Sequence, residues 1–194
     1  MKQKKRYQAK HILLTAVIIL IILAIIAIQN PFKKQEFVQG EALGVKKTPE
    51  TGIEIGSLAP NFILKDIDGK LIKLSDFRGK KAVVINFWAS WCPFCLEEMP
   101  DFEEVAQKYK DEVVILGINR GEKREIALDY AENKLPVKIT YPILLDNNED
   151  VSNVYILRGM PVTYFIDKNG VITNRYFGKI TLEIMEQEIE KLIE

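Results

Sequence analysis

Read by the spacing of its apolar positions, the chain divides into one long uncharged run, a mixed polar stretch and a series of short periodic segments. Residues 12–28 hold no charge and a single polar side chain, Thr15. Residues 33–54 mix Lys, Glu, Gly, Thr and Pro without a period, which predicts a tether. From Gly56 onward the pattern tightens. Residues 62–65 and 71–74 flank Asp68-Gly69, a pair suited to the left-handed backbone of a tight turn, and together they predict a β-hairpin. A capped short turn follows at 74–80. Residues 83–88, Val-Val-Ile-Asn-Phe-Trp, have the β-branched and aromatic composition of a buried strand. The spacing then predicts a helix over 93–109, bent at Pro100, a strand over 113–118, a helix over 122–134, a strand over 141–145 and a short helix over 148–154. Residues 162–167 and 171–177 predict a hairpin around Lys168-Asn169-Gly170. Thr181 is placed to cap a last helix whose buried face is Leu182, Met185, Ile189 and Leu192 or Ile193. Strands alternating with helices imply an α/β domain with a mainly parallel sheet covered on both faces.

Charge changes the reading of the first run. Residues 1–10 carry five Lys or Arg and no acid. The uncharged run of 17 residues reaches roughly 25 Å at a rise of about 1.5 Å, close to the hydrocarbon thickness of a bilayer of about 30 Å. Gln29, Asn30, Pro31 and Phe32 complete the crossing at the interface. The run ends Ile25-Ile26-Ala27-Ile28 without a small-x-small cleavage site, so an uncleaved anchor is expected. The basic flank orients it with the N-terminus in the cytoplasm. The expected organisation is a cytoplasmic basic tail at 1–11, a transmembrane signal anchor at 12–30, a tether at 31–55 and an extracytoplasmic domain at 56–194. The formal balance of 27 basic and 27 acidic residues hides a division, because seven of the basic residues lie in the first 34 positions, where there is no acid. The remainder carries a net charge of about −7, which offers nothing to a nucleic acid backbone.

Cys92 and Cys95 are the two cysteines of the chain, so any thiol chemistry uses this pair. They stand where the strand of 83–88 gives way to a helix. A first cysteine at a helix N-terminus meets unpaired N–H groups and the positive end of the macrodipole, which favour its thiolate. Cys92 is therefore the candidate nucleophile, and Cys95, one turn further on and less exposed, the candidate resolving thiol. Two blander readings compete. A structural zinc site needs four Cys or His ligands, and the single histidine, His11, lies far off in the apolar, basic-flanked segment. A purely structural disulfide would gain little from closing so short a loop.

Phe87-Trp88-Ala89-Ser90-Trp91-Cys92-Pro93-Phe94-Cys95 resembles the active-site signature of the thioredoxin superfamily. Asn86, Glu98 and Pro100 narrow the resemblance to the membrane-anchored TlpA/ResA-like thiol-disulfide oxidoreductases. The opening Ala59-Pro60-Asn61-Phe62 and Leu74-Ser75-Asp76-Phe77-Arg78-Gly79-Lys80 is similar to ResA-like and peroxiredoxin-like (AhpC/TSA) domains alike. The resemblance implies a thioredoxin-like fold with an N-terminal β-hairpin extension and a central helical insertion between Asn119 and Thr140. It implies that Pro161 is a cis proline facing the two sulfurs, and that Met160 before it pairs with an extended substrate. Glu98 stands where ResA-like proteins carry a functional glutamate, which would perturb the thiols and exchange a proton with Cys95; a plain surface glutamate like Glu97 is the alternative. Trp88, Trp91 and Phe94 are expected to form an apolar rim, although aromatic packing alone would account for Trp88, and Trp91, Pro93 and Phe94 are expected as substrate contacts. The resemblance further implies no cofactor beyond a redox-active Cys92–Cys95 disulfide. Exported thiol or disulfide proteins such as apocytochrome c would be the substrates, and a membrane electron donor of the CcdA type would re-reduce the pair. The Pro93-Phe94 dipeptide departs from the Glu-Pro or Gly-Pro usual in these reductases, which leaves a disulfide-forming oxidase open. A thiol peroxidase fits less well, since Trp-Cys-x-x-Cys replaces a Thr-x-x-Cys setting. A copper carrier would use Cys-x-x-x-Cys with a distant histidine.

Overall fold

The computed structural model describes residues 49–194; the predicted tail, anchor and most of the tether lie outside the described residues. The strands are β1 (Ile63–Asp66), β2 (Leu71–Lys73), β3 (Ala82–Trp88), β4 (Val113–Arg120), β5 (Ile143–Asp146), β6 (Val162–Ile166) and β7 (Ile172–Phe177). The α-helices are α1 (Pro93–Lys108), α2 (Arg124–Asp129), α3 (Asp150–Val154) and α4 (Leu182–Ile193). β3 is central and buried at every position, because strands flank it on both sides and side chains cover both faces. That is why its sequence is a continuous apolar run and does not alternate.

The strands form one sheet in the order β2-β1-β5-β4-β3-β6-β7. Only β3 with β4 and β4 with β5 pair in parallel. The other four pairings are antiparallel, so the mainly parallel sheet expected from the alternation is corrected to a mixed one. The reason is connection length: β1–β2 and β6–β7 are joined by turns too short for a parallel crossover. The turn at Lys168-Asn169-Gly170 places Gly170 at φ 86°, a conformation that favours glycine.

Three local differences from the sequence reading have physical causes. The turn at Leu74–Phe77 is a 3-10 turn without a side-chain cap of its own; Asn61, from outside it, accepts from the Ser75 N–H at 2.9 Å. The helix expected over 122–134 is α2 followed by a π-helical turn, Tyr130–Lys134. The tether predicted to reach residue 55 gives way to bonded chain by residue 50, since the Leu58 N–H donates to the Glu50 carbonyl at 2.9 Å and Glu54 pairs with Arg175 at 2.8 Å. α4 is capped as expected, with Thr181 Oγ1 accepting from the Ile184 N–H.

Alternation along β3 separates two cores. Ala82, Val84 and Trp88 pack with Met99 and Phe102 of α1 and Met185 and Ile189 of α4. Val83, Ile85 and Phe87 pack on the other face with Phe62, Tyr155 and Tyr164. Asn86 faces the first core, and Gly117 stands opposite it in β4. A Cβ at Gly117 would lie 2.8 Å from Ile143 and 2.9 Å from Tyr141, so only glycine lets these side chains close over the strand.

Candidate active site

β3 ends at Trp88, and three residues later the chain enters α1 through Cys92, its N-cap. Pro93 takes the first helical position, where a missing N–H is harmless and its fixed φ suits the turn. Cys92 Sγ accepts from the Cys95 N–H at 3.3 Å, so the sulfur occupies the place of a capping oxygen among the free N–H groups of the helix start. The two cysteines form a disulfide, S–S 2.04 Å, with Cα atoms 5.3 Å apart. Cys95 is fully buried and Cys92 retains 5% of its surface, the order of exposure expected for them.

Around this pair the exposed surface is apolar. Trp91 is 66% and Phe94 60% exposed, and Pro93 is exposed between them. Trp88 does not join this rim: it is fully buried in the core under α1, so of its two expected roles the structure shows packing and corrects the rim. The Met160–Pro161 bond is cis. Val162, the next residue, pairs with Phe87 of β3, which sets Pro161 at the end of the sheet where the cysteines lie. Pro161 is buried and Met160 half-buried, packed against the core that contains both cysteines.

Glu98 lies three residues beyond Cys95 on α1 and has no exposed surface. Asn86 Nδ2 donates to its Oε1 at 2.7 Å, and the Ile180 N–H donates to its Oε2 at 3.0 Å. The same Asn86 amide donates to Thr163 Oγ1 at 3.2 Å, while its Oδ1 has no partner among the described residues. One carboxylate thus joins α1, β3 and the segment before α4, with β6 linked through Asn86. Burial raises the Glu98 pKa from the ordinary 4.5 to about 7; the Ile180 N–H, the Asn86 amide and the Lys179 charge pull the other way without restoring it. Glu97, the neighbour that served as the surface alternative, is exposed and bridged to Lys179 at 2.7 Å.

A second carboxylate went unnoticed in the sequence. Glu122, at the end of β4, accepts from the Ser90 N–H at 2.8 Å and from Asn119 Nδ2 at 2.7 Å, and Ser90 Oγ donates to its other oxygen. It braces the three-residue link between Trp88 and Cys92. The signal that could have found it is Asn119-Arg120-Gly121-Glu122, a strand end with an acceptor just past a glycine at φ 70°.

A strand that delivers a Cys-x-x-Cys pair to the N-terminus of a helix, beside a cis X-Pro bond at the head of its antiparallel neighbour β6, defines a thioredoxin-like thiol-disulfide oxidoreductase. The AhpC/TSA family matches residues 55–175, and the chain belongs to that family. It is 38% identical over 146 residues to the thiol-disulfide oxidoreductase ResA of Geobacillus kaustophilus, covering 75% of this chain and 82% of that one. It is 36% identical over 146 residues to the thioredoxin-like protein YneN of Bacillus subtilis, covering 73% and 82%. Among solved structures, a Chlorobium tepidum protein described as thiol:disulfide interchange protein DsbE superposes with a TM-score of 0.67 at 28% identity, covering 74% of this chain and all of that one. The exposed lipoprotein thioredoxin Etrx1 of Streptococcus pneumoniae gives 0.60 at 33% identity, covering 69% of this chain and all of that one.

Proposed function

We propose that this thiol-disulfide oxidoreductase is a membrane-anchored reductase of disulfides in exported proteins, with apocytochrome c as one such substrate. The observation that carries the reading is Glu98, a buried acid with a pKa near neutrality one helical turn beyond the buried cysteine. In the reductive cycle the Cys92 thiolate attacks one sulfur of the substrate disulfide, and the other substrate sulfur leaves as a thiolate and takes a proton. Cys95 gives its proton to Glu98, attacks Cys92 Sγ and releases the second substrate thiol, leaving the Cys92–Cys95 disulfide. Two electrons and two protons from a membrane donor of the CcdA type restore the dithiol. Trp91, Pro93 and Phe94 offer the apolar contact, and Met160 the backbone for an extended substrate beside Pro161. Residues 12–30 hold the protein in the membrane with its N-terminus cytoplasmic and its redox domain outside.

Pro93 directly after the first cysteine favours one second reading, a disulfide-forming oxidase. The reduction potential of the Cys92–Cys95 couple in the full chain, equilibrated against a glutathione buffer, separates the two. A value below roughly −220 mV is expected for the reductase, and one near about −120 mV would replace it with the oxidase.

A further inference from the structure

The loop between α3 and β6 carries an isoleucine where helix geometry asks for glycine. At the end of α3 the Ile156 N–H donates to the Asn153 carbonyl and the Leu157 N–H to the Ser152 carbonyl, each at 3.1 Å. This pair of bonds is a Schellman ending, and it holds Ile156 in the left-handed conformation at φ 52°. A β-branched side chain is strained there, and at 56% exposure Ile156 recovers little of that strain by burial. Nearby, Phe177 is 66% exposed, its ring held under the Arg175 guanidinium at 5.2 Å. Between them lies a cleft of about 300 Å³, walled by Ile53, Ile156 and Phe177, floored by Tyr155 and Tyr164, with Arg158 among its lining residues.

One feature ties this cleft to the exchange site. Phe177 pairs with Val162, and the Gly178 N–H donates to the Pro161 carbonyl at 2.8 Å, so the Phe177 wall of the cleft ends next to the cis proline. Its floor ring, Tyr155, packs 5.4 Å from Phe87 in the second core, on the sheet face opposite the cysteines. The charges are unequal. Arg175 is answered by Glu54 at 2.8 Å, whereas Arg158 is exposed and has no ion-pair or hydrogen-bond partner among the described residues. In a domain of net negative charge, one unanswered cation beside an apolar cleft is a local invitation to an anion.

We infer that this cleft is a specificity subsite for the substrate polypeptide, taking an apolar side chain next to a carboxylate a few residues from the substrate cysteine. The apolar group sits against Ile156 and Phe177, and the carboxylate meets Arg158. The inference rests on the disulfide-exchange reading above. Its test uses the full chain in detergent and two peptide disulfides with the same cysteine pair, one flanked by Leu-Glu and the other by Ser-Lys. The wild-type protein should favour the Leu-Glu peptide about 10-fold in kcat/KM, mainly through KM. Ile156→Gly, which relieves the left-handed strain, should bring the ratio toward one, and Arg158→Glu should turn the preference toward the Ser-Lys peptide, a gain that a misfolded variant could not produce. Equal rates for the two peptides in the wild type, or variants that slow both alike, would overturn the subsite. Reduction of a small aromatic disulfide is measured alongside; if the wild type leaves it oxidised, the exchange reading itself falls, and the subsite with it.

Discussion

Two carboxylates flank the cysteine pair, and the difference between them lies in burial more than in hydrogen bonding. Glu98 accepts from two donors, Asn86 Nδ2 and the Ile180 N–H, and Glu122 from the Ser90 N–H, Ser90 Oγ and Asn119 Nδ2. Glu122 stays in partial contact with solvent, whereas Glu98 has no exposed surface. Hydrogen bonds favour an ionised carboxylate, but full desolvation outweighs two of them, and Glu98 is pushed to a pKa of about 7. The pair teaches that acceptor geometry alone makes a brace, and that the same geometry removed from water makes a group able to hold or release a proton near neutrality.

The largest test of this contrast is Glu98→Gln. A folded-state pKa of about 7 against 4.5 means that the folded protein binds the proton more tightly than the unfolded chain. Stability is therefore greatest below pH 4.5 as far as this group is concerned, falls as pH rises through the window, and the loss is complete above pH 7. The full span is on the order of 3 kcal/mol. Glu98→Gln should flatten the difference in urea midpoint between pH 5 and pH 8, and should also change the pH profile of Cys92 alkylation. An unaltered profile in both would remove Glu98 from the proton path.

Glu122→Ala should act next in size and in a different way. Three donors lose their acceptor at a half-exposed site, a cost of about 1–2 kcal/mol. The loss should come with slower disulfide exchange by Cys92, because the 89–91 link is released. Unchanged stability together with an unchanged exchange rate would show that Glu122 braces nothing.

The smallest effect belongs to Lys179, which is exposed, bridges to Glu97 and lowers the Glu98 pKa through its charge. Lys179→Met should move the Glu98 midpoint upward by a few tenths of a pH unit, followed by carboxyl resonance titration, and added salt should mimic it in the wild type. A downward movement would contradict the sign of this interaction.

What could be read in the sequence depended on how local its cause was. The β3 run, the N-terminal placement of Cys92, the turn at Gly170 and the Thr181 cap are set by neighbours within a few positions, and each stands where the pattern placed it. The cis bond at Pro161 was implied by resemblance and by no spacing rule. Trp88 stayed between rim and core because an aromatic beside a cysteine reads equally well as either, and only its position on the inner face of β3 decides. The mixed sheet was missed since alternation of elements says nothing of strand direction where turns are short. Asn86 with Glu98, and Ser90 with Glu122, join residues 12 and 32 positions apart through the folded sheet, beyond the reach of periodicity. Ile156 was invisible for the opposite reason: sequence rules place glycine or asparagine in left-handed helix ends, so an isoleucine gives no warning.

The bond from the Ile180 N–H to Glu98 has a practical side. A main-chain proton far along the sequence ends directly on the buried acid, so its resonance is a natural reporter of whether that acid is charged. Following this single amide with pH, in the oxidised and then the reduced protein, would read the coupling between proton and electron pair without labelling or altering a cysteine.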